Sequence, residues 1–251
     1  MNILITGATS GIGAALAVEY SADGVILFLT GRNLERLNHV TKICEEKGAK
    51  VISKIIDVKN SEELKSWILE IGREHGLSLV IANAGISAGT SAGTESEEQI
   101  KEIFATNIDG VMNTVNPSVK IMANQNTGQI AIISSLAGFR GLPPSPAYSA
   151  SKACVRVYGE GLRGSLAPLG IKVNVVCPGY VKTPLTDVNE FSMPFLMTAQ
   201  KAAKIIRKGL EKNKSRIAFP FPTYFVIWLA TLISTSFTDP IFEKLPKKKS
   251  L

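Results

Sequence analysis

A tyrosine and a lysine that stand four residues apart point most directly to chemistry in this sequence. Tyr148 and Lys152 lie in the segment AYSASKACVRV, and Ser134 and Ser135 end an apolar, strand-like segment a short way before it. Residues four apart on a helix share a face. An ammonium about 4 Å from a phenol, at an effective dielectric of about 20, favours the phenolate by about 4 kcal/mol. This would bring the tyrosine pKa toward neutrality, where a general acid or base works best, although such a tyrosine can also be simple packing.

The N-terminus has the order of strand, glycine-rich turn and helix that a dinucleotide site needs. NILIT reads as a short buried strand, and GATSGIGAALAVEY follows at once. Gly7 allows the tight turn, Gly11 lets the backbone approach a pyrophosphate, and Gly13 lets the helix pack closely on the strand. The spacing Gly-x-x-x-Gly-x-Gly is a variant of the commoner Gly-x-Gly-x-x-Gly. We therefore predict a dinucleotide phosphate site here, with a plain turn as the alternative.

The end of the second predicted strand bears on the choice of dinucleotide. An NAD site usually places an acidic residue there for the ribose 2′-hydroxyl, whereas LFLTGRN supplies Gly31 and Arg32. An arginine can pair with a 2′-phosphate, which an aspartate would repel. Ser10 and Asn33 could add hydrogen bonds. We predict that NADP(H) is preferred over NAD(H), unless Arg32 is only a solvated residue before a helix.

With these residues, the chain resembles the short-chain dehydrogenase/reductase family of the Tyr-x-x-x-Lys type, as far as about Pro220. TGATSGIG resembles the cofactor turn of the family, and its catalytic tetrad corresponds to Asn107, Ser135, Tyr148 and Lys152. Ser135 matches better than its neighbour because the family serine precedes x-x-Gly, here LAG. The cofactor contacts that the resemblance and the strand-end residues imply are Gly7, Thr9, Ser10, Gly11, Ile12, Gly13, Arg32, Asn33, Asp57, Asn83, Ala84, Gly85, Tyr148, Lys152, Pro178, Gly179 and Thr183.

The resemblance implies an NADP(H)-dependent oxidoreductase, such as a carbonyl reductase, that interconverts a carbonyl and an alcohol on a small or apolar substrate. Ser135 would hydrogen-bond the substrate carbonyl, Tyr148 would protonate its oxygen, and Lys152 would hold the ribose and lower the tyrosine pKa. Asn107 would maintain a water path to the lysine, or its side chain would make its hydrogen bonds locally inside a helix. Asp57 would contact the adenine ring, or serve as a helix-entry residue. A non-catalytic dinucleotide-binding sensor or scaffold protein is the alternative function.

The elements that must position these residues alternate between strand and helix. Gly48, Gly76 and Gly170 fall where helices would end. We predict an α/β fold, a single-domain, Rossmann-like, doubly wound parallel sheet with helices on both faces, over residues 1–251. The predicted strands are residues 2–6, 25–30, 50–56, 77–82, 129–134, 171–177 and 216–219.

The amino-acid composition limits which ligands the protein is expected to bind and where in the cell it is expected to be. Three cysteines without paired spacing and two histidines predict a reduced interior without a metal site. The formal charge of +7 suits an anionic cofactor or lipid headgroups, but no basic stripe with interleaved aromatics predicts nucleic-acid binding. No basic n-region or cleavage site precedes the first strand, so we expect a cytoplasmic protein, with a peripheral membrane location as the alternative.

Two segments near the expected substrate mouth have no regular periodicity. Residues 180–197 are rich in Leu, Phe and Met and could be a lid over an apolar substrate or ordinary packing. The repeat SAGTSAGT, residues 87–94, follows Asn83-Ala84-Gly85 and predicts a loop.

Residues 221–251 form an apolar and then basic C-terminal extension. Residues 217–238 include no charge, and Lys244, Lys247, Lys248 and Lys249 follow. Prolines limit the apolar stretch to residues 223–237, too short to favour a membrane span. A subunit or substrate-pocket contact and a membrane-surface helix with basic anchors stay open.

Helix contacts between subunits are also predicted. Gly159, Gly161 and Gly164 lie in the helix that begins near Tyr148, where each costs about 1 kcal/mol of helix propensity relative to alanine. A close helix contact would explain them. The resemblance implies a homo-oligomer that pairs through this helix and the helix carrying Asn107.

Overall fold

The computed structural model describes residues 1–90, 93–246, 248 and 250. Four residues on which predictions rest, Ser91, Ala92, Lys247 and Lys249, lie outside these ranges. Among the described residues, the strands of the main sheet are β1 (Asn2–Thr6), β2 (Ile26–Gly31), β3 (Lys50–Ile55), β4 (Leu79–Ala82), β5 (Gly128–Ile133), β6 (Ile171–Pro178) and β9 (Arg216–Phe219), while β7 (Val181–Lys182) and β8 (Met197–Thr198) form a separate short pair.

The seven described strands of the main sheet pair in the order β3-β2-β1-β4-β5-β6-β9, and every neighbouring pair is parallel. This confirms the predicted parallel sheet, and each predicted strand boundary is within two residues of the observed one. All four residues of β4 are buried, which explains why the strands read as apolar runs rather than as alternating patterns. The strand order reverses at β1, so the ends of β1 and β4 flank the crevice where such sheets bind ligands.

Helices cover both faces of the sheet, as predicted. On one face, α1 (Gly11–Tyr20), α2 (Leu34–Glu46) and α8 (Ala199–Glu211) pack against β1 residues such as Ile3 and Ile5. The described helical elements of the other face and of the edges are α3 (Ser61–Glu74), α4 (Glu97–Phe104), a π-helical turn (Ala105–Asp109), α5 (Gly110–Gln125), a 3₁₀ turn (Leu136–Gly138), α6 (Pro146–Leu166), a second 3₁₀ turn (Ala167–Leu169), α7 (Pro184–Asp187), α9 (Phe221–Thr231) and α10 (Thr235–Phe242).

The glycines that were expected to end helices do so. Gly48 follows α2 with a φ of +92°, and Gly76 follows α3 with a φ of +67°. Gly170 ends the 3₁₀ turn after α6 with a φ of +70°. A residue with a Cβ is strained in this left-handed region, so glycine is the residue that closes these helices at low cost.

The structure corrects the prediction that three glycines of α6 share one close helix contact. A Cβ on Gly159 would lie 2.7 Å from Val175 Cγ2, so this glycine brings α6 close to the sheet of its own chain. At Gly161 and Gly164, the place of a Cβ has no described atom within 4 Å. These two positions are open, and a contact there would have to come from another molecule.

The two C-terminal helices contact the core with few of their apolar residues. Tyr224 and Ile227 of α9 pack against a small buried cluster that includes Leu136. Most of the other apolar side chains of α9 and α10 are exposed, up to 76% at Phe237. Within the part of the chain that the structure describes, no helix has the length and apolar character needed to cross a membrane.

Candidate active site

An asparagine at the end of β4 hydrogen-bonds the glycine-rich turn after β1. The Asn83 side-chain nitrogen donates hydrogen bonds to the carbonyl oxygens of Thr6, at 3.0 Å, and Gly7, at 3.1 Å. The Asn83 main-chain N–H donates to the Thr6 hydroxyl at 3.1 Å. These bonds cross from β4 to β1 at the crevice where the strand order reverses. They fix the turn without occupying its N–H groups.

The glycines of this turn permit contacts that a Cβ would block. Gly7 has a φ of +67°, and a Cβ there would lie 2.8 Å from Ala84 Cα. A Cβ on Gly13 would lie 2.3 Å from the Gly7 carbonyl oxygen and 2.5 Å from the Asn83 side-chain nitrogen. At Gly11 the φ is +56°, and a Cβ would meet the Thr183 methyl at 2.9 Å. The turn and the first residues of α1 therefore need these glycines in order to pack as they do.

The N-terminus of α1 offers polar groups that suit a phosphate. Ser10 is the N-cap residue, but its hydroxyl makes no cap hydrogen bond to the helix. The first N–H groups of a helix have no partner within the helix and attract anions. Ser10, Gly11 and Ile12 line a cavity that continues toward the predicted catalytic residues. This donor set, with its space for close backbone approach, fits the pyrophosphate of a dinucleotide.

At the end of β2, Arg32 is largely exposed and lies 3.9 Å from the Asp57 carboxylate. Asp57 also accepts a hydrogen bond from the Lys59 N–H at 3.0 Å and pairs with its ammonium at 3.7 Å. The side-chain oxygen of Asn33 caps α2 by accepting from the Arg36 N–H. The helix-entry residue of α3 is Asn60 rather than Asp57. Arg32 thus has one distant partner among the described residues and remains available to an anion.

A cavity of about 270 Å³ joins the glycine-rich turn to the predicted catalytic residues. Thr9, like Gly7 and Gly13, supports the turn from outside this cavity, and a Cβ on Gly31 would lie 2.4 Å from the Thr9 methyl. Asn107, Arg32, Asn33, Asp57 and Ala84 also lie outside its described lining. The predicted site residues that line it are Ser10, Gly11, Ile12, Asn83, Gly85, Ser135, Tyr148, Lys152, Pro178, Gly179 and Thr183.

The two serines after β5 have different roles. The buried Ser134 hydroxyl donates to the Lys152 carbonyl oxygen at 2.7 Å, which ties β5 to α6. The half-buried Ser135 hydroxyl accepts from the Ala137 N–H at 3.1 Å and donates to the Pro178 carbonyl oxygen at 3.3 Å. That last distance is long for an O–H···O bond, whose usual range is about 2.5–3.0 Å. Ser135 is therefore the serine whose hydroxyl can turn toward a ligand.

Tyr148 and Lys152 lie together on α6, but not as the simple ion-assisted pair of the prediction. The Lys152 ammonium is 5.9 Å from the Tyr148 ring centroid and donates to the Ile133 carbonyl oxygen at 3.0 Å. Burial raises the pKa of the Tyr148 phenol, against the opposing effect of Ser135. Burial also lowers the pKa of Lys152 to about 8. The prediction that the lysine lowers the tyrosine pKa is wrong here, because desolvation dominates both groups.

Asn107 lies in the π-helical turn and is fully buried. Its side chain donates to the Ile86 carbonyl oxygen at 2.9 Å and to the Ser151 hydroxyl at 3.0 Å, and it accepts from the Ile86 N–H at 2.8 Å. A Cβ on Gly85 would lie 3.2 Å from the Asn107 side-chain oxygen and 3.3 Å from the Lys152 ammonium. Asn107 therefore positions the segment after β4 beside Lys152. A water path stays a prediction.

Several residues of the segment 180–197 line the cavity. Leu185 and Phe191 line it, and the ring centroids of Phe191 and Tyr180 are 6.1 Å apart. Phe195 and Leu196 are exposed, whereas Met197 is buried in the core. The segment thus contributes both to the cavity wall and to ordinary packing.

The C-terminal extension lines part of the cavity, and a substrate-pocket contact was one of the alternatives kept open for it. Thr223 and Ile227 of α9 line the cavity, so the C-terminal extension does contact the pocket. Leu245, Pro246 and Lys248 also line it. The lysine run after an apolar helix reads as a surface feature, and nothing in the local sequence indicates that the chain returns to Tyr148.

Known proteins resemble this chain in sequence and in fold. Residues 1–192 match the family model described as short chain dehydrogenase. An uncharacterized oxidoreductase of Myxococcus xanthus is 34% identical over 246 residues, which cover 98% of this chain and 96% of that protein. A short-chain dehydrogenase from Sphingobium yanoikuyae in complex with NADPH is similar in structure, with a TM-score of 0.82, 22% identity, and 100% and 98% of the two chains covered. A dehydrogenase/reductase from Burkholderia phymatum in complex with NAD has a TM-score of 0.82, 24% identity, and 98% and 96% covered.

Proposed function

The chain belongs to the short-chain dehydrogenase family of oxidoreductases, which use a nicotinamide dinucleotide, and we propose that it interconverts a carbonyl and an alcohol with NADP(H). One observation carries this proposal. Ser135, Tyr148 and Lys152 line the same cavity as Ser10 and Gly11 at the N-terminus of α1. A phosphate-binding turn and a proton donor thus open onto one enclosed space, as a hydride-transfer enzyme requires.

Tyr148, Ser135 and Lys152 would each act on a different group of the substrate or cofactor. The bound nicotinamide supplies or accepts the hydride. Because burial raises its pKa, Tyr148 holds its proton at neutral pH and would donate it to the substrate oxygen. Ser135 would exchange its long bond to Pro178 for a bond to that oxygen. An ammonium has three N–H donors. Lys152 uses one on the Ile133 carbonyl oxygen among the described residues, so others can hold the ribose hydroxyls.

The cavity wall favours a substrate with an apolar body. Leu142, Leu185, Phe191, Ile227 and Leu245 line it. Apolar walls with a few placed polar groups are typical of small-molecule sites. The substrate would therefore be a small or apolar carbonyl compound or alcohol.

Replacing Tyr148 with phenylalanine tests the enzyme role. Reduction of a panel of aldehydes and ketones by NADPH should fall at least about a hundredfold in kcat, the range for loss of a general acid. The Kd of NADPH should change less than about twofold, which is under 0.5 kcal/mol. Tyr158→Phe is a matched control, because Tyr158 lies on the same helix and bonds Asn116 at 3.0 Å.

Two outcomes would count against this role. Retention of a tenth or more of the wild-type kcat by Tyr148→Phe would contradict Tyr148 as the proton donor. Tight NADPH binding by the wild type without turnover of any panel member would instead support the alternative, a dinucleotide-binding sensor or scaffold. That alternative is not favoured, because such a protein has no need of three reactive side chains in one cavity.

The NADP(H) preference rests on Arg32. Its guanidinium is exposed and 3.9 Å from Asp57, so it can turn to a 2′-phosphate at little cost. Arg32→Ala should raise the Kd of NADPH at least about tenfold, the equivalent of one charge-assisted hydrogen bond, and barely change that of NADH. Lys42→Ala is the control, because it removes an exposed positive charge from the neighbouring helix α2. Equal weakening of both dinucleotides would show that Arg32 does not bind the 2′-phosphate.

We also propose a homo-oligomer that pairs through α6. Val157, Gly161 and Gly164 share one side of α6, Val157 is 57% exposed, and both glycines are open. Gly161→Arg should lower the sedimentation coefficient of the full chain, whereas a monomeric wild type would contradict the proposal. The exposed side of α9 and α10 could extend the interface or lie on a membrane. Co-sedimentation with anionic liposomes separates these two, with Phe237→Ser as the variant that should weaken either contact.

A further inference from the structure

The C-terminal tail, meaning the described residues after α10 up to Ser250, lines part of the cavity through Leu245, Pro246 and Lys248. Before the tail begins, Asp239 of α10 is paired with Arg140, whose guanidinium also lies 5.1 Å from the Phe242 ring centroid. Within the tail, the Lys248 ammonium donates to the Ser87 hydroxyl at 2.5 Å. Contacts on both sides of Leu245 and Pro246 thus hold this part of the chain at the cavity.

Backbone packing fixes the far end of the tail. A Cβ on Gly89 would lie 2.4 Å from Lys248 Cβ and 2.4 Å from its carbonyl oxygen. Gly89 lies in the first half of the SAGT repeat, and Gly93 holds the same place in the second half. At Gly93 the place of a Cβ has no described atom within 4 Å. Only the first half of the repeat therefore needs a glycine to admit the tail.

Lys248 brings a second ammonium to Tyr148. Its ammonium lies 5.3 Å from the Tyr148 ring centroid, where that of Lys152 lies 5.9 Å away. Burial lowers the pKa of Lys248 to about 8, so most molecules carry its charge at neutral pH. The described residues that line the cavity include both lysines but no aspartate or glutamate. Ser87, a neutral hydroxyl, is the hydrogen-bond partner that the described chain gives Lys248.

A buried ammonium that has a neutral partner is unfavourable, and an anion beside it would offset its desolvation. Lys152 has a role in the proposed reaction, whereas Lys248 is left without one. The described cavity lining therefore has a charged group beyond those that a lone carbonyl needs.

On the basis of the proposed function, we propose that Lys248 binds an acidic group of the substrate, which is an apolar carbonyl compound or alcohol bearing a carboxylate or a similar anion. The carbonyl lies at Ser135 and Tyr148, the acid lies at Lys248, and the apolar body contacts walls such as Leu245. The substrate class is thus an oxo acid or hydroxy acid rather than a neutral ketone.

Turnover of matched acids and esters tests this directly. The full-length protein is assayed with NADPH and pyruvate, acetoacetate, levulinate and benzoylformate, each beside its methyl ester. The wild type should favour the acid in at least one pair. Lys248→Met should lower kcat/KM for that acid about tenfold to a hundredfold, the range for a hydrogen bond to a charged group, and leave the ester nearly unchanged. Lys244→Met, which removes an exposed lysine of the same tail, should change neither.

The SAGT repeat gives an independent pair of variants. Gly89→Ala should displace Lys248 and reduce the acid preference, whereas Gly93→Ala should not. A chain that ends at Pro246 removes all three neighbouring lysines. If acid preference is lost in that chain but not in Lys248→Met, the assignment to Lys248 is overturned. An acid-to-ester ratio of kcat/KM that stays the same in wild type and Lys248→Met overturns it as well.

Binding separates this proposal from failure of the proposed function. If no panel member is reduced, titration calorimetry of the protein with NADPH measures phenylacetate and its methyl ester. Acid binding that Lys248→Met weakens tenfold supports the anion site even though the reaction is wrong. Equal Kd values for acid and ester, or no measurable acid binding, overturn the anion site. A weaker Kd of NADPH itself in Lys248→Met would show that the ammonium binds a cofactor phosphate instead, and would also overturn it.

Discussion

Replacing Lys152 with methionine should stabilise the cofactor-free protein while it abolishes activity. Lys152 is only 4% exposed, and its described hydrogen-bond partner is the Ile133 carbonyl oxygen at 3.0 Å. Methionine has a similar length and no charge, so it can fill the same space without desolvating an ammonium. The buried ammonium of Lys152 therefore lowers the free energy of unfolding, and the substitution should restore part of that free energy.

The size of the effect follows from the pKa of the lysine. Burial lowers it from 10.5 to about 8. At about 1.36 kcal/mol per pKa unit, this difference opposes folding by about 3 kcal/mol while the lysine is charged. Loss of the bond to the Ile133 carbonyl oxygen costs about 1 kcal/mol. The net gain in the free energy of unfolding is about 2 kcal/mol, or roughly 4–8 °C in Tm for a chain of this size.

The gain should depend on pH in a defined direction. Below pH about 8, Lys152 is protonated in both the folded and unfolded chain, so the full penalty is present. Between pH 8 and 10.5 the folded chain releases the proton while the unfolded chain retains it, so the stability of the wild type rises relative to the variant. The advantage of Lys152→Met is therefore largest at neutral pH. By about pH 10.5 it is replaced by a disadvantage of about 1 kcal/mol, which is the value of the missing hydrogen bond to Ile133.

Urea unfolding followed by circular dichroism at neutral pH and near pH 10 measures this difference. Lys65→Met is the control, because Lys65 is an exposed lysine of α3 and its loss should change stability by less than about 0.5 kcal/mol. Lower stability of Lys152→Met at neutral pH, or a gain that is the same at both pH values, would refute the reasoning.

Three further substitutions test the contacts that position the site. Gly13→Ala should lower Tm and weaken NADPH binding, because its Cβ would lie 2.3 Å from the Gly7 carbonyl oxygen. Such overpacking costs about 1–3 kcal/mol of stability. Gly141→Ala is the control, because the place of a Cβ on Gly141 is open. Asn107→Ala should cost about 2–4 kcal/mol in urea unfolding, because it leaves the N–H and carbonyl of Ile86 without their partner; a loss under 0.5 kcal/mol would contradict the positioning role. Arg140→Met should speed amide exchange in α10 but not in β4, because it removes the ion pair with Asp239; unchanged exchange in α10 would show that this pair does not hold the tail.

The sheet and the cofactor turn were accessible from the sequence because local patterns determine them. Buried parallel strands are continuous apolar runs, and Gly48 and Gly76 end helices through positive φ, so each feature is encoded within a few residues. The cross-link from Asn83 to Gly7 joins residues that are far apart in the chain, and no local pattern of the sequence encodes it. Gly161 and Gly164 are open because of how α6 packs in the folded chain, and helix propensity carries no information about that packing.

The electrostatics of the site could not be predicted from spacing. Four residues of separation on a helix place Tyr148 and Lys152 on one side, but they do not determine how far each side chain is from water. Burial raises the pKa of Tyr148 and lowers that of Lys152. Residues 180–197 and the tail line the same cavity as these two side chains. Both segments lack a periodic pattern, so no local feature of the sequence encodes that they come to this cavity.

The partners of the charged side chains distinguish structural ion pairs from the cavity ammonium groups. Outside the described cavity lining, Glu160 pairs with Arg156 at 3.1 Å and with Arg216 at 2.5 Å, so these half-buried charges have partners of opposite sign. Inside it, Lys152 and Lys248 have neutral oxygens as partners, and the described lining includes no carboxylate. Stability alone would favour methionine at both positions, because an unpaired buried charge costs several kcal/mol. Ligands with hydroxyl or acidic groups would supply the missing partners. The instability of the empty cavity and its selectivity for such ligands therefore have the same physical cause.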